Sequence, residues 1–247
     1  SLEKQIENFI KDLNIPILLS NKVPDLLDYN HKFNFGVPGP FGQRSSNFII
    51  QNSDLIISLG CRLSPTITGR ANKYFAREAK IFAIDIDKNE LIKNNINIDY
   101  KINIDLKDFL PKLIQHKKFI NLNIKKWVSY CLMMNKKFNG YHYYNNKGNK
   151  LKDNNKEILP LGLIRDTSSL IKPDTIIIAD NFGPHLYCTL AFKFKKKQNF
   201  FCLPSIETRG FSLPLSLGVG LNRKNILCIT EIAGFQKNIY DLEFIKK

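Results

Sequence analysis

Apolar residues recur along this chain in two alternating rhythms. Ile6, Phe9, Ile10 and Leu13 fall on one side of a helix expected over residues 2–13. A short apolar run at 15–19 reads as a strand. Residues 44–51 read as a helix, and 54–59 (DLIISL) as a buried strand. Further strands are expected at 80–87 (KIFAIDID) and 100–104, with helices at 88–94, 105–115 and 127–137. After a polar stretch the pattern resumes. Helices are expected at 161–171, 183–192 and 211–220, alternating with strands at 175–179, 199–203 and 226–229. The last strand runs into a turn of small residues, Ala233-Gly234. Phe235, Ile239, Leu242 and Ile245 then repeat at helical spacing.

Strands alternating with helices define an α/β architecture of parallel, doubly wound sheets. Two such units are expected: a Rossmann-like domain with a trailing helix at 1–137, and a second α/β domain at 159–247. Between them, 138–158 is polar, Asn-rich and Gly-punctuated, the composition of a linker. Its aromatic cluster at 141–144 reads as surface packing. In doubly wound sheets the ligand crevice lies beyond the carboxyl ends of the strands. Gly60, Asp85, Asp87 and Asp105 are expected to gather there in the first domain.

Composition narrows the function. The formal net charge is +15, which raises a nucleic-acid partner. The lysines are dispersed, and the densest clusters (193–197 and 147–156) lack the interleaved aromatics of a base-stacking surface. A basic nucleic-acid binder is therefore the least favoured class. No run of about 18 apolar residues exists, so no membrane span is expected. The first residues lack the apolar core of a signal peptide. The chain starts with Ser and stops inside a helical pattern, so a processed chain or a piece of a longer one is expected. The five cysteines show no CxxC pair, and the four histidines are scattered without ligand spacing. Free thiols in a reducing, cytoplasmic setting follow, and a zinc site does not.

The chemistry gathers at 225–238 (NILCITEIAGFQKN). A strand, a small-residue turn and a helix N-terminus make a natural phosphate cradle, because unbonded N–H groups and the helix dipole face the anion. The glycine loop at 35–43 (FGVPGPFGQ) has a GxxGxxG spacing rather than a dinucleotide fingerprint and reads as turn chemistry. No Ser-His-Asp or Cys-His arrangement can be argued from the spacing elsewhere.

Taken together, several stretches resemble thiamine-diphosphate-dependent enzymes of the acetolactate synthase type. The first domain is similar to their central domain through GVPGPFGQRSSN (36–47), SDLIISLGCRL (53–63), ITG (67–69), IFAIDID (81–87) and Asp105 opening a helix. The second is similar to part of their cofactor domain through TIIIAD (175–180), FKFKK (192–196), TRGFSLPLSLGVG (208–220) and CIT…GFQKNIYDLE (228–243). The resemblance implies a Rossmann-like central domain followed by a truncated thiamine-diphosphate-binding domain. It implies decarboxylation of a 2-keto acid and carboligation of the product, with thiamine diphosphate supplying the electron sink. It also implies sites assembled between subunits, in a homo-oligomer or with an intact homologue.

The same resemblance implies a cofactor-side set of Thr208, Arg209, Gly210, Ala233, Gly234, Phe235 and Lys237, with His185 near the diphosphate-side loop. His185 reads equally as a polar loop histidine. The family's metal-binding turn is Gly-Asp-Gly; here it is Glu231-Ile232-Ala233. Magnesium takes oxygen ligands, and isoleucine offers none. Glu231 adds an anion beside a diphosphate; one like-charge pair at about 4.5 Å costs roughly 3–4 kcal/mol at an effective dielectric near 20. Arg209 stands where the family has a bulky apolar residue, after a small turn that reads Ser205-Ile206-Glu207. Two readings of the basic residues stay open. Arg209 and Lys237 replace the metal charge, or Lys237 faces solvent and Arg209 pairs with Glu207 or Glu231. Gly39, Gly42, Arg62, Asp85 and Asp105 match positions that hold FAD in some members. No catalytic residue and no metal ligand are assigned. The expectation is a chain that does not turn over alone, with a non-catalytic partner role as the competing class.

Overall fold

A computed structural model describes residues 2–93, 95–116, 123–138, 158–203, 208–223 and 225–246. Most of the polar stretch expected at 138–158, with the 141–144 cluster and the basic run at 147–156, lies outside them. So does the 205–207 turn. The chain divides into two units: Ser1–Asn21 with Lys32–Asn139, and Lys22–His31 with Gly140–Lys247. Both are α/β units built on a parallel sheet, as the alternating pattern requires.

In the first unit β1 (Leu55–Leu59), β2 (Lys80–Asp85) and β3 (Tyr100–Asn103) form a sheet in that order. Ile57 pairs with Phe82, and Ile84 with Ile102. Ile81, Ala83, Leu91, Ile96 and Ile98 bury one face against Ile50, Leu63 and Phe75. Helix α1 (Leu2–Leu13) contributes Phe9 and Ile10 to the interior. Helix α2 (Arg44–Gln51) packs through Ile49 on Cys131 and Met134 of Lys125–Phe138. In that second helix the single Trp, Trp127, stacks on Tyr130 at 5.3 Å.

The run at 15–19 makes only an isolated bridge, Ile17 to Asn34, rather than a strand. Leu19 N–H still donates to the Gly36 carbonyl at 2.8 Å, and Gly36, with φ +78°, takes the chain out of extended geometry there. Two short helical pieces, Pro65–Thr68 and Asn72–Tyr74, lie where the apolar pattern is silent.

In the second unit β4 (Ile176–Ala179) is fully buried between β5 (Asn199–Phe201) and β6 (Ile226–Ile229). An unbroken apolar strand in the middle of a parallel sheet is what burial on both faces selects. Helices Pro160–Leu170, Gly183–Ala191 and Ser212–Gly220 accompany it. Ile164, Cys188, Phe192, Phe194 and Phe200 form the core with Ile177.

The segment 22–31 belongs to this unit through polar contacts. Tyr29 N–H donates to the Phe194 carbonyl at 2.7 Å. Asp25 accepts the Phe200 N–H at 2.8 Å, which occupies an outward donor of edge strand β5.

The helical repeat expected after Ala233-Gly234 is shorter than its periodicity suggests. A six-residue helix, Ile232–Lys237, includes that pair and gives way to 3₁₀ geometry over Ile239–Lys246. Asn238 interrupts it. Its amide donates to the Gly210 carbonyl at 2.5 Å and the Gly234 carbonyl at 3.3 Å, side-chain bonding that competes with helix continuation.

Candidate functional site

Three loops meet at the carboxyl edge of the second sheet: 180–183 after β4, 208–211 before Ser212–Gly220, and 230–234 after β6. The sheet order β5-β4-β6 means that the chain leaves β4 toward one neighbour and later crosses to the other. A crevice opens at such a switch point.

Asp180, directly after the apolar strand, is fully buried and organises the three loops. Its Oδ1 accepts the N–H groups of Gly210 at 3.1 Å and Ser212 at 3.0 Å. Its Oδ2 accepts the Thr230 hydroxyl. Its own N–H donates to Ile229, and its carbonyl accepts His185 N–H, both at 2.9 Å. Asn181 Nδ2 donates to the Thr208 carbonyl at 2.9 Å. A buried carboxylate surrounded by donors of this kind is a structural node, because each bond to the charged group exceeds a neutral one in strength.

Two glycines let the loops close. Gly210 has φ +94°, a conformation that L side chains rarely adopt. A Cβ at Gly234 would lie 2.3 Å from Asp180 Oδ2 and 3.0 Å from Gly210 N. The turn backbone therefore rests directly on the Asp180 carboxylate.

Around this node stand the residues singled out from the sequence. Arg209 Nε lies 3.1 Å from Glu231 Oε1, an ion-pair contact by distance that is not aligned as a hydrogen bond. Its guanidinium also sits over the Phe182 ring, 4.7 Å from the centroid. Phe182 itself has φ +62°, a left-handed geometry unusual for an aromatic residue. Ala233 and Lys237 are exposed, and Thr208 is exposed beside Arg209. Phe235 N–H donates to the Glu231 carbonyl at 2.9 Å, closing the first turn of the short helix. His185 is 3% exposed, its ring stacked on Phe200 at 6.2 Å. Thus the structure gathers Arg209, Gly210, Gly234 and Glu231. It places His185 in the core behind them and Lys237 on the surface.

Asp180, Thr230, Phe182 and Asn238 were not singled out by sequence reasoning. The one available signal was the carboxylate ending a wholly apolar strand.

In the first unit the corresponding edge is capped rather than vacant. Asp87 accepts Asn89 N–H and Asp105 accepts Lys107 N–H, each as a helix N-cap. Asp85 Oδ1 accepts Asp87 N–H at 2.9 Å. Gly60 N–H donates to the Ile84 carbonyl. Arg62 pairs with Glu90 at 3.2 Å. Gly39 is clasped by the Asn47 amide and packs on Thr66, where a Cβ would approach the carbonyl to 2.0 Å. A Cβ at Gly42 would approach the Val37 carbonyl to 2.3 Å.

Among the described residues, the donor set of the second unit does not suit a divalent metal. Hard cations need several oxygen ligands. Ile232 supplies none, and its side chain is 77% exposed. Glu231 is engaged by Arg209, and Asp180 by three donors. Among the described residues no group of three or more His, Cys, Asp or Glu could hold an ion.

Comparison with known proteins agrees with this architecture. Residues 1–113 match the family described as thiamine pyrophosphate enzyme, central domain. This match and the relatives below support a likeness to thiamine-diphosphate-dependent enzymes of the acetolactate synthase kind. It is similar to the probable acetolactate synthase large subunit of Methanococcus aeolicus, 29% identical over 97% of this chain and 41% of that protein. The corresponding protein of Methanocaldococcus jannaschii is 28% identical, over 98% of this chain and 40% of its own length. Acetolactate synthase isozyme 2 large subunit of Escherichia coli is 25% identical, over 98% and 42%. The chain therefore spans about two-fifths of the length of the curated relatives it matches.

Proposed function

We propose that this chain is a carboligase-type scaffold that has lost the metal grip of its cofactor site and serves as a non-catalytic partner. By kinship the activity is that of a thiamine-diphosphate-dependent 2-keto acid carboligase or lyase, working with magnesium in the cytoplasm. Its catalytic form would take a 2-keto acid and an acceptor carbonyl. Ile232 carries the non-catalytic reading: an oxygen-free side chain stands where the family's turn supplies a carboxylate, and it points to solvent. FAD has no stronger support here, because Asp85, Asp87 and Asp105 serve the backbone. Pairing with a second copy or an intact homologue is supported by Ile232, Tyr240 and Phe244, all large, apolar and exposed in the last segment. No helix among the described residues is long and apolar enough to cross a membrane.

The test is release of CO₂ from pyruvate by the purified chain with thiamine diphosphate and magnesium. No release above the protein-free blank is expected. Sustained release abolished by EDTA would contradict the proposal.

A further inference from the structure

Glu231 does more than deprive the turn of a glycine. It meets Arg209 at 3.1 Å, with its side chain 28% exposed. Arg209 is braced from the other side by Phe182, which the chain holds at φ +62°. One residue from each of the three loops thus closes on the others. A metal-bound diphosphate would join such loops by placing cation and anion between them. Here the guanidinium is the cation and the carboxylate the anion, and both come from the chain itself.

We infer that the Phe182–Arg209–Glu231 clamp stands in for a ligand, so that this edge takes neither a divalent cation nor a diphosphate. The inference deepens the proposed function at the same site and rests on it. The charge argument is direct. The pair is neutral, so Arg209 is not a free cation for a phosphate and Glu231 is not a free ligand for a metal. Displacing either partner leaves the other charge half-buried and unpaired. Space agrees with charge. The turn at Gly234 lies so close to Asp180 that even a methyl group would approach its carboxylate oxygen to 2.3 Å. No side chain larger than glycine's fits there. It follows that restoring an oxygen at position 232 alone does not reopen the site, because the clamp persists.

The test combines calorimetry with hydrogen exchange on the full chain. Thiamine diphosphate and inorganic pyrophosphate are titrated separately, with magnesium and with EDTA. No saturable heat is expected from the unmodified chain or from Ile232→Asp, an exposed substitution. Peptides covering 208–212 and 230–235 are expected to exchange roughly tenfold faster in Glu231→Gln, while strand 176–179 stays unchanged. Magnesium-dependent binding by the unmodified chain, or by Ile232→Asp, would overturn the clamp. So would unchanged loop exchange in Glu231→Gln. A chain that binds diphosphate but releases no CO₂ refutes the clamp alone; one that turns pyruvate over refutes the proposed function.

Discussion

At residue 180 one carboxylate binds positions 30, 32 and 50 residues further along the chain. Asp180→Ala leaves those donors buried without an acceptor and is expected to destabilise the second unit by about 2–3 kcal/mol, measured by urea unfolding. The glycines give a sharper contrast. Gly234→Ala forces a methyl group against Asp180 Oδ2 and Thr230 Oγ1, so a loss of about 1–3 kcal/mol is expected. Gly218, within Ser212–Gly220, has nothing within 4 Å of a built Cβ. There Ala is expected to stabilise by about 0.5–1 kcal/mol, since helix propensity improves without a clash. Equal effects at the two positions would contradict the packing described. The chemistry of residues 231–233 was readable from the sequence, because an absent oxygen is a property of the side chain itself. The Asp180 node was not, because its partners are brought together only by folding. The like-charge penalty expected for Glu231 is offset by Arg209, in the pairing that was one of the two readings left open for that arginine.

At the level of elements, the strands were legible where apolar runs are fully buried, as in TIIIA at 175–179. Periodicity does not foretell the places where a single residue decides the outcome. Asn238 ends the last helix through its amide, and Gly36 leaves extended geometry beside the run at 15–19. Asp105, foreseen as a helix opener, caps Leu106–Gln115. Asp105→Ala is expected to lose about 1 kcal/mol of stability, seen as a lower urea midpoint with an unchanged slope.

Burial also sets thiol chemistry. Burial pushes the Cys131 thiol from 9.0 up to about 12, and Cys202 to about 12 as well. Cys188, buried beside Cys202, moves in the same direction. Folded thiols that hold their protons above the unfolded value support the native state below about pH 9. That support is lost as pH rises from there toward 12. Unfolding midpoints should therefore fall across this interval. At pH 8 a thiol reagent should label the half-buried Cys228 well before Cys131 or Cys188, and all five cysteines only in denaturant. Rapid labelling of Cys188 in the native chain would contradict its placement.

Over the whole molecule, two α/β units share one plan, a parallel sheet whose carboxyl-end loops are tied by carboxylates. In the first unit those carboxylates cap helices; in the second, one anchors backbone and the other binds arginine. Alternation of strands and helices made the doubly wound class readable. The crossing of residues 22–31 into the second unit was not readable, because it depends on Asp25 and Asp28 accepting backbone N–H groups far along the chain. The central claim concerns the metal. Manganese(II) accepts the same oxygen ligands as magnesium and its free ion is counted by electron paramagnetic resonance. With thiamine diphosphate present, the free-ion signal is expected to be the same with and without the chain. A protein-dependent loss of signal that saturates at one ion per chain would contradict the account.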